Sequence, residues 1–88
     1  MNEEKNTEKT VWVPGITFDK AYSEFHPSVR KEIYAKIMKW TEWSRYTFYA
    51  KKNGVHALKP LEAKIIEYVF LDYGVDAWTG EEVVEVNV

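Results

Sequence analysis

The sequence predicts an α+β fold in which two or three helices pack on a small antiparallel sheet, formed by an N-terminal strand and a C-terminal hairpin. Three patterns predict it: apolar residues at helical spacing in the middle of the chain, a short β-type run near its start, and alternating valines at its end. The 88 residues are 45% hydrophobic and 16% aromatic, which suffices for one core. We therefore expect a single compact domain over residues 10–88 and a disordered polar tail over residues 1–9.

The predicted sheet uses both ends of the chain. Thr10-Val11-Trp12-Val13 is a β-type run stopped by Pro14-Gly15. Residues 75–78, a Thr79-Gly80 turn and residues 82–88 indicate a hairpin. Because an isolated pair of strands is marginal in water, we expect the N-terminal strand to join this hairpin. The side chains expected to point inward from its last strand are Val84, Val86 and Val88.

Two helices are indicated in the first half. Residues 19–25 form one or two helical turns before Pro27, a residue that fits the first position of the next helix. That next helix covers about residues 28–43. Its apolar residues recur at helical spacing: Val29, Ile33, Ile37 and Trp40.

Two later segments have alternative interpretations. Residues 45–58 form either a helix ending at Asn53-Gly54-Val55 or a hairpin turning at Asn-Gly, and we favour the helix because Tyr73-Gly74-Val75 repeats the cap pattern. Residues 61–73 form either a helix or a strand buried on both faces, and helix is favoured again. As a helix, this segment is apolar around most of its circumference, which predicts a central position in the fold.

Charge is unevenly distributed along the chain. The net charge is −2, but residues 30–59 carry eight Lys or Arg against two acids, whereas residues 60–88 carry one Lys against seven acids. These basic and acidic segments either offer separate binding surfaces or pair with each other in the folded chain.

Several functional classes lack their characteristic residues. The chain has no cysteine for disulfides or thiolate metal sites, and its two histidines, His26 and His56, lie thirty residues apart outside any catalytic motif. The acids nearest to a metal-binding spacing are Glu81, Glu82 and Glu85, which match no known coordination loop. The longest apolar run is four residues, far short of a membrane span. We therefore expect a cytoplasmic, non-catalytic protein without metal or cofactor.

A protein partner is the function that the sequence favours. Aromatic residues exceed what so small a core hides, and partly exposed rings are typical of interface hot spots. The expected contact rings are Trp40, Trp43, Tyr46 and Tyr49. An acidic surface at Glu81, Glu82 and Glu85 is expected to contact a basic partner. Such a protein fits a phage or mobile-element inhibitor of host machinery, for example an anti-CRISPR protein, and a homodimer through the same rings is equally compatible.

Nucleic-acid binding is the first alternative. Residues 30–59 mix cations with rings, as nucleic-acid-binding surfaces do, and two consecutive helices there would resemble a helix-turn-helix. The cations expected at phosphates are Arg30, Lys36, Lys39, Arg45, Lys51 and Lys52.

A small metal-independent ribonuclease is the second alternative. Its candidate residues are Arg45, Tyr49, Lys51, Lys52 and His56. The predicted order of strand, helices and C-terminal strands is similar to that of the RelE/ParE toxin family. This resemblance of element order implies RNA cleavage without Cys or metal.

Overall fold

The computed structural model describes residues 16–83, and this part of the chain contains four helices. They are α1 (Asp19–Ser23), α2 (Pro27–Thr41), α3 (Arg45–Lys52) and α4 (Pro60–Leu71). Helix accounts for 59% of the structure and strand for 3%, and no sheet forms among the described residues. The predicted α+β class is therefore wrong, because the fold is mainly helical. The order of strand, helices and strands shared with the RelE/ParE toxins is likewise not found within residues 16–83.

Within residues 16–83, a turn lies where the first strand of the predicted hairpin was expected after α4. Val75 and Glu82 form an isolated antiparallel bridge instead of paired strands. Between them, the Asp76 carboxylate accepts hydrogen bonds from the backbone N–H groups of Trp78, at 2.8 Å, and Thr79, at 3.1 Å. Because these bonds turn the chain, Asp76 imposes a turn where strand pairing was expected. The predicted tail at residues 1–9, the strand at Thr10–Val13 and the valines at positions 84, 86 and 88 lie outside the described residues.

Helix α2 confirms the predicted helix over residues 28–43 to within two residues at each end. Pro27 occupies its first turn, and His26 Nδ1 accepts a hydrogen bond from the Ser28 backbone N–H at 3.2 Å. The helix ends at Glu42, a non-glycine residue with a φ of 60°. Helix α1 confirms the one or two turns expected before Pro27.

Both segments with alternative interpretations are helices. Ser44 caps the N-terminus of helix α3, because its Oγ accepts a hydrogen bond from the Thr47 backbone N–H at 3.1 Å. It ends where the Val55 N–H donates to the Ala50 carbonyl at 2.8 Å while Gly54 adopts a φ of 84°. This is the predicted left-handed glycine cap. The repeated pattern at Tyr73-Gly74-Val75 ends α4 in the same way, with Gly74 at a φ of 74°.

The core joins α2, α3 and α4 around aromatic rings. Phe48 of α3 meets Phe18 edge to face at 5.7 Å between ring centroids, and Tyr34 of α2 at 4.8 Å. Such pairs add about 0.5–1.5 kcal/mol each beyond the area they bury. Helices α2 and α4 also pack directly against each other. The largest fully buried side chains are Phe18, Ile33, Ile37, Phe48, Leu58, Ile66 and Phe70.

Candidate protein-binding surface

Helix α4 is apolar on two faces, and only one of them is buried. Ala63, Ile66, Val69 and Phe70 face the core. The other face leaves Leu61 73%, Tyr68 77% and Leu71 50% exposed. Helical periodicity places Leu61, Ile65 and Tyr68 on one stripe, with Leu71 at its edge. We call these four residues the α4 face. Helix α4 therefore contributes to the core, as a central helix should, but only one of its apolar faces is covered within residues 16–83.

Two open grooves run along the α4 face. The first, about 610 Å³, is an open groove along the line where α2 packs against α4. Its lining residues are Lys36, Trp40, Ile65, Tyr68, Val69 and Asp72. The second, about 560 Å³, follows the outer side of α4, and its lining residues are Leu61, Lys64, Ile65, Glu67, Tyr68 and Leu71. Because Ile65 and Tyr68 line both grooves, the two form one continuous surface. Trp40, 67% exposed, extends that surface onto α2.

The exposed area of this surface is comparable to that of the largest apolar patch on a typical monomer. Trp40 and the three most exposed α4 side chains together present on the order of 500 Å² of accessible area. The largest apolar patch of a monomer is often a functional site.

The four rings predicted to contact a partner are not brought together. Trp40 borders the α4 face, whereas Trp43 is partly buried and its Nε1 donates to Glu62 Oε2 at 3.2 Å. Tyr46 is 70% exposed on α3, beside the His56 ring at 6.0 Å. Tyr49 lies in a different groove, between α2 and α3. Of the predicted rings, only Trp40 belongs to the apolar surface described above.

The acids predicted to contact a partner lie at the end of the described chain. Glu81 and Glu82 are exposed in the loop after α4. The Glu81 carbonyl accepts from the Asp76 N–H at 2.9 Å, which fixes this part of the loop. Glu85 lies outside the described residues.

Three of the six cations predicted to bind nucleic acid are engaged within the fold. Lys51 is 8% exposed, and its Nζ donates to Glu62 Oε1 and to the Ala57 carbonyl, both at 2.8 Å. Lys52 is equally buried and donates to Asp19 Oδ1 at 2.6 Å. Arg30 Nη1 donates to the Phe25 carbonyl at 2.8 Å.

The other three cations are exposed but do not share one face. Lys36 lies over the Tyr73 ring, 4.6 Å from its centroid, and lines the α2–α4 groove. Lys39 is exposed on α2, and Arg45 lines the groove between α2 and α3. The basic segment therefore does not form the single basic surface that would favour nucleic acid.

The groove between α2 and α3 combines two cations with tyrosines. It is about 250 Å³ in volume, and its lining residues are Tyr22, Lys31, Tyr34, Arg45 and Tyr49. The Tyr34 and Tyr49 rings lie 6.5 Å apart. Burial raises the pKa of the Tyr22 hydroxyl. Lys31 and Tyr34 belong to the basic aromatic segment 30–59 but were not among its predicted contact residues.

The candidate ribonuclease residues are divided between these environments. Arg45 and Tyr49 line the α2–α3 groove, but Lys51 and Lys52 are buried in ion pairs. His56 lies beside Tyr46 on the exposed surface. Within residues 16–83, no three His, Asp or Glu side chains come together as a metal site would require, and no helix is long and apolar enough to cross a membrane.

Comparison of this chain with protein-family models, curated proteins and solved structures finds no match. The candidate surface is therefore defined by its own geometry. Four residues of this candidate surface were not among the contacts predicted from the sequence: Leu61, Ile65, Tyr68 and Leu71. The sequence did contain a signal for them, namely apolar residues around most of the circumference of the helix at residues 61–73. That pattern also suits a helix that packs on the core with one face and binds a partner with the other.

Proposed function

We propose that this protein is a non-catalytic binding protein that engages a protein partner through the α4 face and Trp40. The exposure of Tyr68 carries the proposal, because a tyrosine flanked by Leu61 and Ile65 on the same stripe leaves apolar area in water that an interface would bury. Exposed rings beside aliphatic side chains are typical of interface hot spots.

The shape of the surface indicates the kind of partner. A groove between two packed helices accepts an amphipathic helix, which inserts apolar side chains at helical spacing. Charges of both signs border the groove, with Lys36 and Lys64 among the cations and Glu67 and Asp72 among the acids. A mixed rim favours a partner helix that also carries charges of both signs.

Photo-crosslinking in the source cells tests the proposal. A benzoylphenylalanine replacing Tyr68 should form adducts, and mass spectrometry of the adduct identifies the partner. The matched control is the same replacement at Tyr46, which is also a tyrosine, about as exposed, but on α3. We expect adducts at position 68 and background at position 46.

Each outcome of this experiment is informative. Equal adducts at both positions, or none at position 68, would contradict the proposal. An adduct with a component of host machinery would also support the inhibitor hypothesis raised by the sequence.

Single-stranded nucleic acid is a second candidate ligand, favoured by the groove between α2 and α3. Lys31 and Arg45 there could meet phosphates while Tyr34 and Tyr49 stack on bases. Replacing both cations with Ala should lower affinity for an RNA oligonucleotide and reduce the salt slope by about 1.4. Lys36→Ala/Lys39→Ala, away from that groove, is the control. Absence of binding at about 50 mM salt would remove this candidate.

A further inference from the structure

We infer that the partner of the α4 face is a second copy of this chain, with its α4 packed antiparallel across a twofold axis. This inference rests on the proposed function, since it names the partner of the same surface. Twofold dimers are the commonest closed assemblies, and their interfaces pair residue i with j and j with i. A surface that fits such an interface must be complementary to itself after rotation.

The apolar residues of α4 meet this requirement. Rotation about a point level with Ile66 places Leu61 opposite Leu71 of the second copy, five residues on either side of the centre. The same rotation brings Ile65 to within one residue, about 1.5 Å along the axis, of Tyr68 of the second copy. By symmetry, the Leu61–Leu71 pair and the Ile65–Tyr68 pair each form twice in the dimer. This one register therefore places all four residues of the α4 face opposite an apolar residue of the second copy.

The charges select the antiparallel direction. Lys64 and Glu67 line the same outer groove, and the antiparallel register brings Lys64 of each copy beside Glu67 of the other. A parallel arrangement would instead place Lys64 beside Lys64, which is unfavourable. No ion pair found among residues 16–83 uses Lys64. Glu67 accepts from Trp78 Nε1 through Oε2, at 2.9 Å, so Oε1 remains to accept from the lysine.

The available area suits a dimer of moderate affinity. A stable interface buries about 800 Å² per partner. The exposed rings and leucines supply on the order of 500 Å² of this. Ile65 and the aliphatic stem of Lys64, both lining the outer groove, add to that area.

Disulfide crosslinking tests the register directly, because the full chain contains no cysteine. Leu61→Cys and Leu71→Cys are made separately and oxidised, each alone and in an equimolar mixture. In the antiparallel dimer, like positions lie about 15 Å apart along the axis, too far for a disulfide. The mixture should therefore form covalent dimer at least about tenfold faster than either variant alone. Faster crosslinking of either single variant would overturn the antiparallel register.

Sedimentation equilibrium of the unmodified chain tests the assembly itself. We expect the mass to rise from 10.4 kDa toward twice that value with increasing concentration. A monomer at every concentration, with no disulfide in any mixture, would overturn the inference. If Tyr68 photo-adducts then contain another protein, the proposed function stands alone. If the chain is monomeric and no photo-adduct forms at position 68, the dimer inference and the proposed function both fail.

Discussion

Lys51 and Lys52 show how strongly the fold determines what a single residue can do. A lysine ammonium is costly to bury unless acceptors replace its water. Lys51 has the Glu62 carboxylate and the Ala57 carbonyl, and Lys52 has the carboxylate of Asp19 and the side-chain amide oxygen of Asn53. Binding phosphate through either lysine would break these contacts. Their replacement is therefore a test of stability, and Lys31 and Arg45 are the better probes of nucleic-acid binding.

Lys51→Met should lower the free energy of unfolding by about 1–3 kcal/mol, because it leaves the partly buried Glu62 without its cation. Urea unfolding followed by circular dichroism measures this change. The control is Lys39→Met, an exposed position on α2 where we expect less than about 0.5 kcal/mol. Equal effects of the two variants would show that the Lys51–Glu62 pair does not stabilise the fold.

The carboxylates that hold these lysines should make the protein sensitive to acid. Burial opposes ionisation of Glu62, but hydrogen bonds from Lys51, the Lys59 N–H and Trp43 prevail and lower its pKa. The hydrogen bond from Lys52 lowers the pKa of Asp19. For carboxyls with lowered pKa, the stabilisation is complete above the unfolded-state pKa, about 4. It is lost as the pH falls through the lower, folded-state value.

We therefore expect the free energy of unfolding to fall as the pH drops below about 4, and Glu62→Gln to reduce that fall. Urea titrations from neutral to acidic pH measure it for the unmodified chain and for the variant. Glu81→Gln, at an exposed position in the loop after α4, serves as the control and should leave the pH profile unchanged. An unchanged slope for Glu62→Gln would contradict the role assigned to this carboxylate.

At the scale of elements, the end of α2 carries backbone strain. Glu42 terminates the helix in the left-handed region, with φ 60° and ψ 27°, a position that α3 and α4 assign to glycine. Left-handed backbone costs a non-glycine residue about 1–2 kcal/mol. A glycine at this position would avoid that cost, but it would lose more conformational entropy on folding than glutamate does, which offsets part of the gain.

Glu42→Gly should therefore raise the free energy of unfolding by about 0.5–1 kcal/mol, an effect measurable by thermal or urea unfolding. Lys39→Gly, inside the same helix, should lower it by a similar amount, since glycine weakens a helix interior. If both substitutions lower the free energy of unfolding, the backbone of Glu42 is not strained.

Helix ends were the features best predicted from sequence, because their signals are local. Pro27, Gly54 and Gly74 each act on the backbone of their own turn, and each marks a helix boundary in the structure. The sheet was wrongly predicted because strand pairing depends on distant contacts. The hairpin was predicted from the Thr79-Gly80 turn and the alternating valines that follow it, but the Asp76 carboxylate turns the chain and Ala77 packs against the helical core.

The exposed apolar surface that we propose as the binding site could be predicted only in part, for a similar reason. Sequence composition indicated more rings than the core could enclose, and Trp40 fits that expectation. Which rings remain outside depends on how the helices pack. Trp43 turns inward because Glu62 and Lys51 meet it there, whereas Tyr68 turns outward because Ile66 and Phe70 occupy the inner side of α4.

Across the whole molecule, the contrast between basic and acidic segments is partly internal. Lys51 of the basic segment forms an ion pair with Glu62 of the acidic segment. The hydroxyl of Tyr73, in the acidic segment, donates a hydrogen bond to the carboxylate of Glu32, in the basic segment, at 3.0 Å. These contacts join α3 to α4 and α2 to the end of α4. Other exposed charges border two separate surfaces: Lys36 lines the groove between α2 and α4, and Lys31 and Arg45 line the aromatic groove between α2 and α3.

Two tyrosines of similar exposure on different helices separate binding at the α4 face from binding elsewhere. The dissociation constant of the complex with the crosslinked partner is measured for the unmodified chain, Tyr68→Ala and Tyr46→Ala, after unfolding curves show equal stability. We expect at least about a tenfold loss of affinity, about 1.4 kcal/mol, for Tyr68→Ala. For Tyr46→Ala we expect less than about a twofold change. Equal affinities for the two variants would show that the α4 face is not where this protein binds.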